Sequence, residues 1–266
     1  MSTKKLRIGF IVDQNPIPSW QYLVIEKVSQ LDFCELCRIN IIGKEKNLKK
    51  SIFQTLLNNY EQNKIIQNHS SFEKKDLSAF SKFLHISNQY ALDNELIIDY
   101  DKKIEELYLD LIINFSSLKI KGKIITSLKY GIWYFNSNST IVHDLMGFNE
   151  ILNELPIITT NLQCILDDEK NEKIIDICSS PTNFLSLRRS TNIINWNKSK
   201  VLLLALEKLY NFNDFPKFVQ NQTISHNNVN LYEVPNSYQY IRLFLKMLQK
   251  SIKLKFYNKF ILINGF

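Results

Sequence analysis

Between Tyr130 and Asp168 the sequence places polar side chains at the ends of apolar runs. It reads Tyr130-Gly-Ile-Trp-Tyr134-Phe-Asn136-Ser-Asn138-Ser-Thr140, then passes through His143 to Met146-Gly147-Phe148. A short amphipathic segment leads to Leu155-Pro-Ile-Ile-Thr159-Thr160-Asn161-Leu-Gln163, and Asp167-Asp168-Glu169-Lys170 closes the stretch. Apolar strands that end in hydrogen-bonding side chains are how an α/β protein presents a site at its sheet edge. We read this stretch as the frame of an acyl-transfer site.

Other chemistries find less support. Cys34-Glu-Leu-Cys37 has a metal-like spacing, but no second Cys or His pair follows at a zinc-like interval. The pair lies within a strand-like run, Phe33 to Ile42, and an odd step of three sends the two thiols to opposite faces. Cys34, Cys37, Cys164 and Cys178 therefore read as reduced core residues of a cytoplasmic protein, with no metal. Gly9 stands alone inside the first strand, so no G-x-G-x-x-G is present and NAD is not expected. A net charge of +7 comes from scattered lysines, without the arginine stripe and interleaved aromatics of a nucleic-acid surface. Hydrophobic content of 45% supports a substantial core. No window reaches the roughly 18 apolar residues of a membrane span.

The elements that must position the site follow in order. Leu6 to Val12 is a β-branched run closed by Asp13, Asn15, Pro16 and Pro18, which predicts a central strand. Ser19 is the expected cap of a helix running to about Gln30, and Phe33 to Ile42 is a second strand. Strand, helix, strand predicts a parallel right-handed unit. Helices are expected over 50–60, 76–84 and 102–109, with the polar segment 61–75 as an insertion. Short strands are expected over 95–99, 110–115, 131–135 and 174–178. A helix is expected over 198–210, followed by a polar stretch without periodicity.

The succession Asp110-Leu-Ile-Ile, Ile124 to Leu128, Tyr130-Gly131-Ile-Trp, a polar loop, Gly147-Phe148-Asn-Glu150, Pro156, then Thr159 to Gln163 resembles the formyltransferase-like superfamily. It is most similar to the N-terminal formyltransferase-like domain of proteins related to glucosamine inositolphosphorylceramide transferase. The resemblance implies an α/β, Rossmann-like three-layer fold with a mostly parallel sheet. It also implies a one-carbon transferase using 10-formyltetrahydrofolate on a small-molecule or sugar-nucleotide ligand, in sugar or glycan modification. Active members carry Asn-x-His after a strand, a Thr-Gly-Val-Thr strand and an Asp. Aligned without gaps, those positions hold Tyr134 and Asn136, then Ile158 to Asn161, then Lys170. A two-residue gap restores Asp168. Asn136 can donate to an oxyanion but cannot return a proton, work worth ~10²–10⁴-fold. The implied catalytic set is therefore Asn136, Asp168 and His143, the last an imidazole in the same loop that reads more readily as a surface residue. Tyr134, Asn138, Asn161, Arg188 and Arg189 are the implied substrate contacts. The arginine pair could grip a phosphate or carboxylate, or lie on a solvated helix face. The substitutions also allow a catalytically degenerate ligand-binding or scaffold module.

Three segments are expected: the α/β domain over 1–205, a polar linker over 206–239 and an amphipathic helix over 240–266. That helix sets Ile241, Phe244, Leu245, Leu248 and Ile252 against Arg242, Lys246, Lys250 and Lys253. Packing on its own domain ranks first. Docking to a separately encoded glycosyltransferase-like chain ranks second, and attachment to a membrane surface last.

Overall fold

The protein is described from a computed structural model. The described residues are 4–43, 52–61, 70–86, 95–97, 107–116, 118–136, 146–166, 172–212, 220–223 and 236–264. The chain runs β1 (Leu6–Val12), α1 (Ser19–Gln30), β2 (Cys34–Ile41), α2 (Ile52–Glu61), β3 (Leu84–Ile86), β4 (Leu111–Asn114), α3 (Ile124–Ser127) and β5 (Ile132–Asn136). It continues through α4 (Phe148–Leu152), β6 (Ile157–Ile165), β7 (Glu172–Pro181), α5 (Leu187–Phe212), β8 (Gln220–Thr223) and α6 (Ser237–Asn264).

The eight strands form one sheet in the order β8-β7-β6-β5-β4-β1-β2-β3. The four pairings from β5 across to β3 are parallel, and the three from β5 to β8 are antiparallel. Parallel strands buried on both faces need continuous apolar runs, which β1 and β4 supply: Ile8, Phe10, Ile11 and Val12, then Leu111, Ile112 and Ile113, are all at most 1% exposed. This is the expected α/β, Rossmann-like architecture. One sheet face packs under α1 and α5, around Phe10, Val24, Trp133, Leu162, Leu202 and Leu206. The opposite face, around Ile11, Ile112, Ile132 and Ile165, is covered by α3 and its flanking residues. A third, smaller cluster joins Leu57 of α2, Phe148 and Ile151 of α4, Leu187 of α5, and Tyr240, Leu243 and Met247 of α6.

Several local expectations are corrected. Ser19 does not cap α1: Pro18 holds the cap position, and the Ser19 hydroxyl donates to the Ser70 carbonyl at 2.7 Å. The segment 78–83 is a 3₁₀ helix, kinked at Phe80. Of the helix expected over 102–109, residues 102–106 lie outside the described residues, and the described residues 107–109 are not helical. The helix expected over 198–210 begins eleven residues earlier, at Leu187. Within the polar stretch expected as a linker, Gln220–Thr223 adds an edge strand to β7. Cys34 and Cys37 do face opposite ways, packing in the first and second clusters respectively. Burial pushes the four thiols up, to about 12 for Cys34 and Cys164 and about 11 for Cys37 and Cys178, as expected of core cysteines.

Candidate functional site

The site is built where β5 meets β6. Gly131 begins β5 at φ +68°, and a Cβ there would stand 2.0 Å from the Ile165 carbonyl oxygen. Only glycine lets the two strands close at this point. Trp133 and Phe135 then point to the α1/α5 face, where Trp20 meets Phe135 edge-on at 6.4 Å between ring centres. By the period of two, Ile132, Tyr134 and Asn136 share the other face.

Antiparallel pairing sets Asn161 directly opposite Asn136 and Gln163 opposite Tyr134. The Asn136 Nδ2 donates to Gln163 Oε1 at 3.1 Å, a diagonal link between strands. The Thr160 hydroxyl donates to the Asn136 carbonyl at 3.0 Å and holds the end of β5 in place. Thr160 and Gln163 are fully buried, and Asn161 nearly so. With Oε1 engaged, Gln163 Nε2 is a buried donor without an acceptor among the described residues. Such a group costs about 1–3 kcal/mol unless something satisfies it.

Tyr134 is committed elsewhere. Burial, then the charge and hydrogen bond of Glu172, push its phenol well above the ordinary tyrosine range. It stays protonated at any physiological pH. Asn136, Gln163 and Tyr134 together form a neutral, amide-rich group, with Glu172 the carboxylate beside it.

Arg188 and Arg189 belong to a different constellation. Glu61, at the end of α2, is buried against the start of α5. Its Oε2 accepts from the Ser186 hydroxyl and, at 3.0 Å, from the Arg188 backbone N–H. Ser186 Oγ in turn accepts from the Arg189 N–H at 3.1 Å. The amide groups that open α5 are thus met by a resident carboxylate, which also suits the helix dipole. The Arg188 guanidinium sits 5.1 Å over the Phe72 ring, and Arg189 is exposed. Asn138, His143 and Asp168 lie outside the described residues, as do Asp167 and Lys170.

Two buried polar side chains beside β5 were not picked out in sequence, Gln163 at the site and Lys198 on the opposite face of the sheet. Gln163 was legible only through its place opposite Tyr134, which depends on a register across a long connection. Lys198 falls between Ile194 and Leu202 at helical spacing on a buried stripe, a pattern visible in the sequence. Its Nζ lies 2.8 Å from Met146 Sδ and 5.6 Å from the centres of the Trp20 and Phe135 rings. Among the described residues, no cluster of three or more His, Cys, Asp or Glu could hold a metal. No described helix is long and apolar enough to cross a membrane.

An eight-stranded sheet whose parallel half turns antiparallel beyond β5, with the candidate site at that turn, is a formyltransferase-like fold. A formyltetrahydrofolate deformylase from Pseudomonas syringae pv. tomato superposes with a TM-score of 0.51 at 9% identity, over 79% of this chain and 63% of that one. The chain thus spans less than two thirds of the deformylase's length. A phosphoribosylglycinamide formyltransferase from Anaplasma phagocytophilum gives 0.49 at 13% identity, over 79% and 89% of the two chains. A sugar N-formyltransferase from a Shewanella species gives 0.45 at 12%, over 90% and 86%. No family model matches the sequence, and no curated protein matches it.

Proposed function

We propose that the protein takes a formyl-bearing donor of the 10-formyltetrahydrofolate class at the carboxyl edge of β5, and acts in sugar or glycan modification on a small-molecule or sugar-nucleotide acceptor. The observation that carries this reading is the amide pair Asn136–Gln163, with its unsatisfied buried donor on Gln163. When an amine attacks a formyl carbonyl, negative charge grows on oxygen, and fixed amide N–H groups are the donors that stabilise it. The donor set therefore fits a formyl group. The deformylase of similar fold bears formyltetrahydrofolate in its name, which agrees with that ligand class. The donor, when bound, supplies the one-carbon unit. The chain's own residues orient its carbonyl through Asn136 and exclude water behind Tyr134 and the buried face of β6. Neither Asn136 nor Tyr134 can return a proton near neutral pH. Proton transfer in this reading falls to His143 or Asp168.

A second reading is favoured by that same neutrality. The chain would bind the ligand without turning it over and serve as a module for a separately encoded glycosyltransferase-like partner. The sequence resemblance to glucosamine inositolphosphorylceramide transferase-related proteins points the same way.

One experiment separates the two. Purified protein is titrated with 5-formyltetrahydrofolate as a stable probe, then assayed with 10-formyltetrahydrofolate and a panel of nucleotide-linked amino sugars. Turnover that falls ~10²–10³-fold in Asn136→Ala supports transfer. Binding without turnover, weakened in Asn136→Ala, supports the module. Neither binding nor turnover, with Asn136→Ala indistinguishable from the parent, rejects both.

A further inference from the structure

The C-terminal helix α6 spans 28 residues, and only part of its apolar surface is used. Tyr240, Leu243 and Met247 pack into the third cluster, with Phe244 at its border. This is not the stripe that periodicity singled out. Ile241, Leu245, Leu248 and Ile252 turn outward, and Tyr238 and Phe256 extend them at either end; the six are 36% to 71% exposed. At 3.6 residues per turn they fall within an arc of roughly 80° and run about 27 Å along the helix. The patch continues onto α2. Tyr60 meets Phe244 edge-on at 5.2 Å, and one and two turns before Tyr60, Leu56 and Ile52 are 57% and 77% exposed.

Charge and periodicity decide what covers this face. From Ser237 to Asn264 the helix contains no Asp or Glu. Exposed Arg242 and Lys253 flank the stripe on one side and exposed Lys255 on the other. Lys246 and Lys250 lie farther round the polar side, turned to Glu154 at 3.5 Å each. A second copy of the chain would set these like charges against one another. A partner helix in a coiled coil needs a strict 3.5-residue repeat, and after Ile252 that repeat places Lys255 in the seam. The stripe instead drifts to Phe256, following the face of a straight helix. A ridge of this kind, apolar along its crest, basic on both flanks and aromatic at its ends, is shaped for a plane that is apolar within and anionic at its surface.

We propose that α6, with the exposed end of α2, seats its outer face on an anionic lipid surface, Arg242, Lys253 and Lys255 reaching the headgroups. The helix thus packs on its own domain, the reading ranked first from sequence, and its outer face takes the membrane surface, which ranked last. Its apolar side chains enter the boundary between headgroups and acyl chains, and the helix lies in the plane of the membrane without crossing it.

The test is flotation of the full chain with vesicles of phosphatidylcholine, alone or mixed with phosphatidylserine. The chain is expected to float with mixed vesicles, to stay behind with pure phosphatidylcholine, and to be released by high salt. Each neutralised cation should weaken binding about fivefold, so Arg242→Gln with Lys253→Gln loses about 25-fold. Leu245→Glu with Ile252→Glu should abolish flotation, and unchanged thermal unfolding would show the fold intact. If that variant fails to fold, Leu245→Ser with Ile252→Ser is read in its place. Absence of flotation with mixed vesicles overturns the proposal. So does equal binding to both vesicle types, or a dimer in sedimentation equilibrium that Leu245→Glu dissociates while no vesicle is bound.

Discussion

Replacing Lys198 with methionine should make this protein more stable, and the gain should depend on pH. Lys198 is 2% exposed, held on α5 beneath Trp20 of α1 and Phe135 of β5 and beside Met146 and Cys178. Burial pulls its pKa down from 10.5 to about 8, with Cys178 acting the other way. For a base, a folded pKa below the unfolded one means that the folded chain binds fewer protons between those two values. Stability therefore rises with pH across that window, and below it the full penalty of burying an ammonium is present. Each tenfold in the proton equilibrium is worth about 1.4 kcal/mol, so the penalty at pH 7 is about 3 kcal/mol. The thioether and the two ring faces already offset part of the raw desolvation cost. Methionine is one atom shorter than lysine but similar in volume and uncharged, so Lys198→Met nearly keeps the volume and removes the penalty. Urea unfolding followed by circular dichroism should show the variant more stable by about 2–3 kcal/mol at pH 7, narrowing toward zero above about pH 10. Equal stability at pH 7, or a difference that does not change with pH, would refute the reasoning.

Gly131→Ala should cost more than about 3 kcal/mol, because its Cβ meets the Ile165 backbone and its φ of +68° strains any side chain. Gly43→Ala, at φ +73° with nothing within 4 Å, should cost only about 1–2 kcal/mol and serves as the control in the same urea titration. Glu61→Ala should lose about 3 kcal/mol by stripping Ser186 and the first amide groups of α5 of their acceptor, and Glu61→Gln about half of that. Gln163→Leu should leave the melting temperature within a few degrees while weakening 5-formyltetrahydrofolate binding. Unaltered affinity would remove Gln163 from the site.

Sequence reading reached furthest where chemistry and position coincide locally. Central parallel strands are buried on both sides, so β1 and β4 had to be continuous runs such as Ile-Gly-Phe-Ile-Val and Leu-Ile-Ile, and they stand out. The turn into β5 announced itself through Tyr130-Gly131. Asn136 was placed through the alignment that the resemblance supplies, just past the apolar run that ends at Phe135. What escaped was whatever depends on distant pairing. Glu61 reads as the first residue of a polar insertion, and nothing local says that Ser186, 125 residues later, meets its carboxylate. The Gln163–Asn136 link needs the register of two strands 27 residues apart. In α6 the difficulty differs: apolar residues cover more than half of the circumference, so periodicity gives the stripe but not which arc meets the domain.

The third cluster has a dynamic consequence. Among the described residues it gathers α2, α4 and α6 around eight buried side chains, apart from the sheet's two main cores. Leu187 and the Glu61–Ser186 bond are among its ties to α5. Fewer buried contacts mean a lower free energy of local opening. Amide exchange should therefore reveal this layer as a separate cooperative unit that opens while β1, β4 and β5 stay protected. Because α4 belongs to it, opening of this layer frees Phe148 and Ile151 while Asn136 stays tied to Thr160 and Gln163 on the sheet.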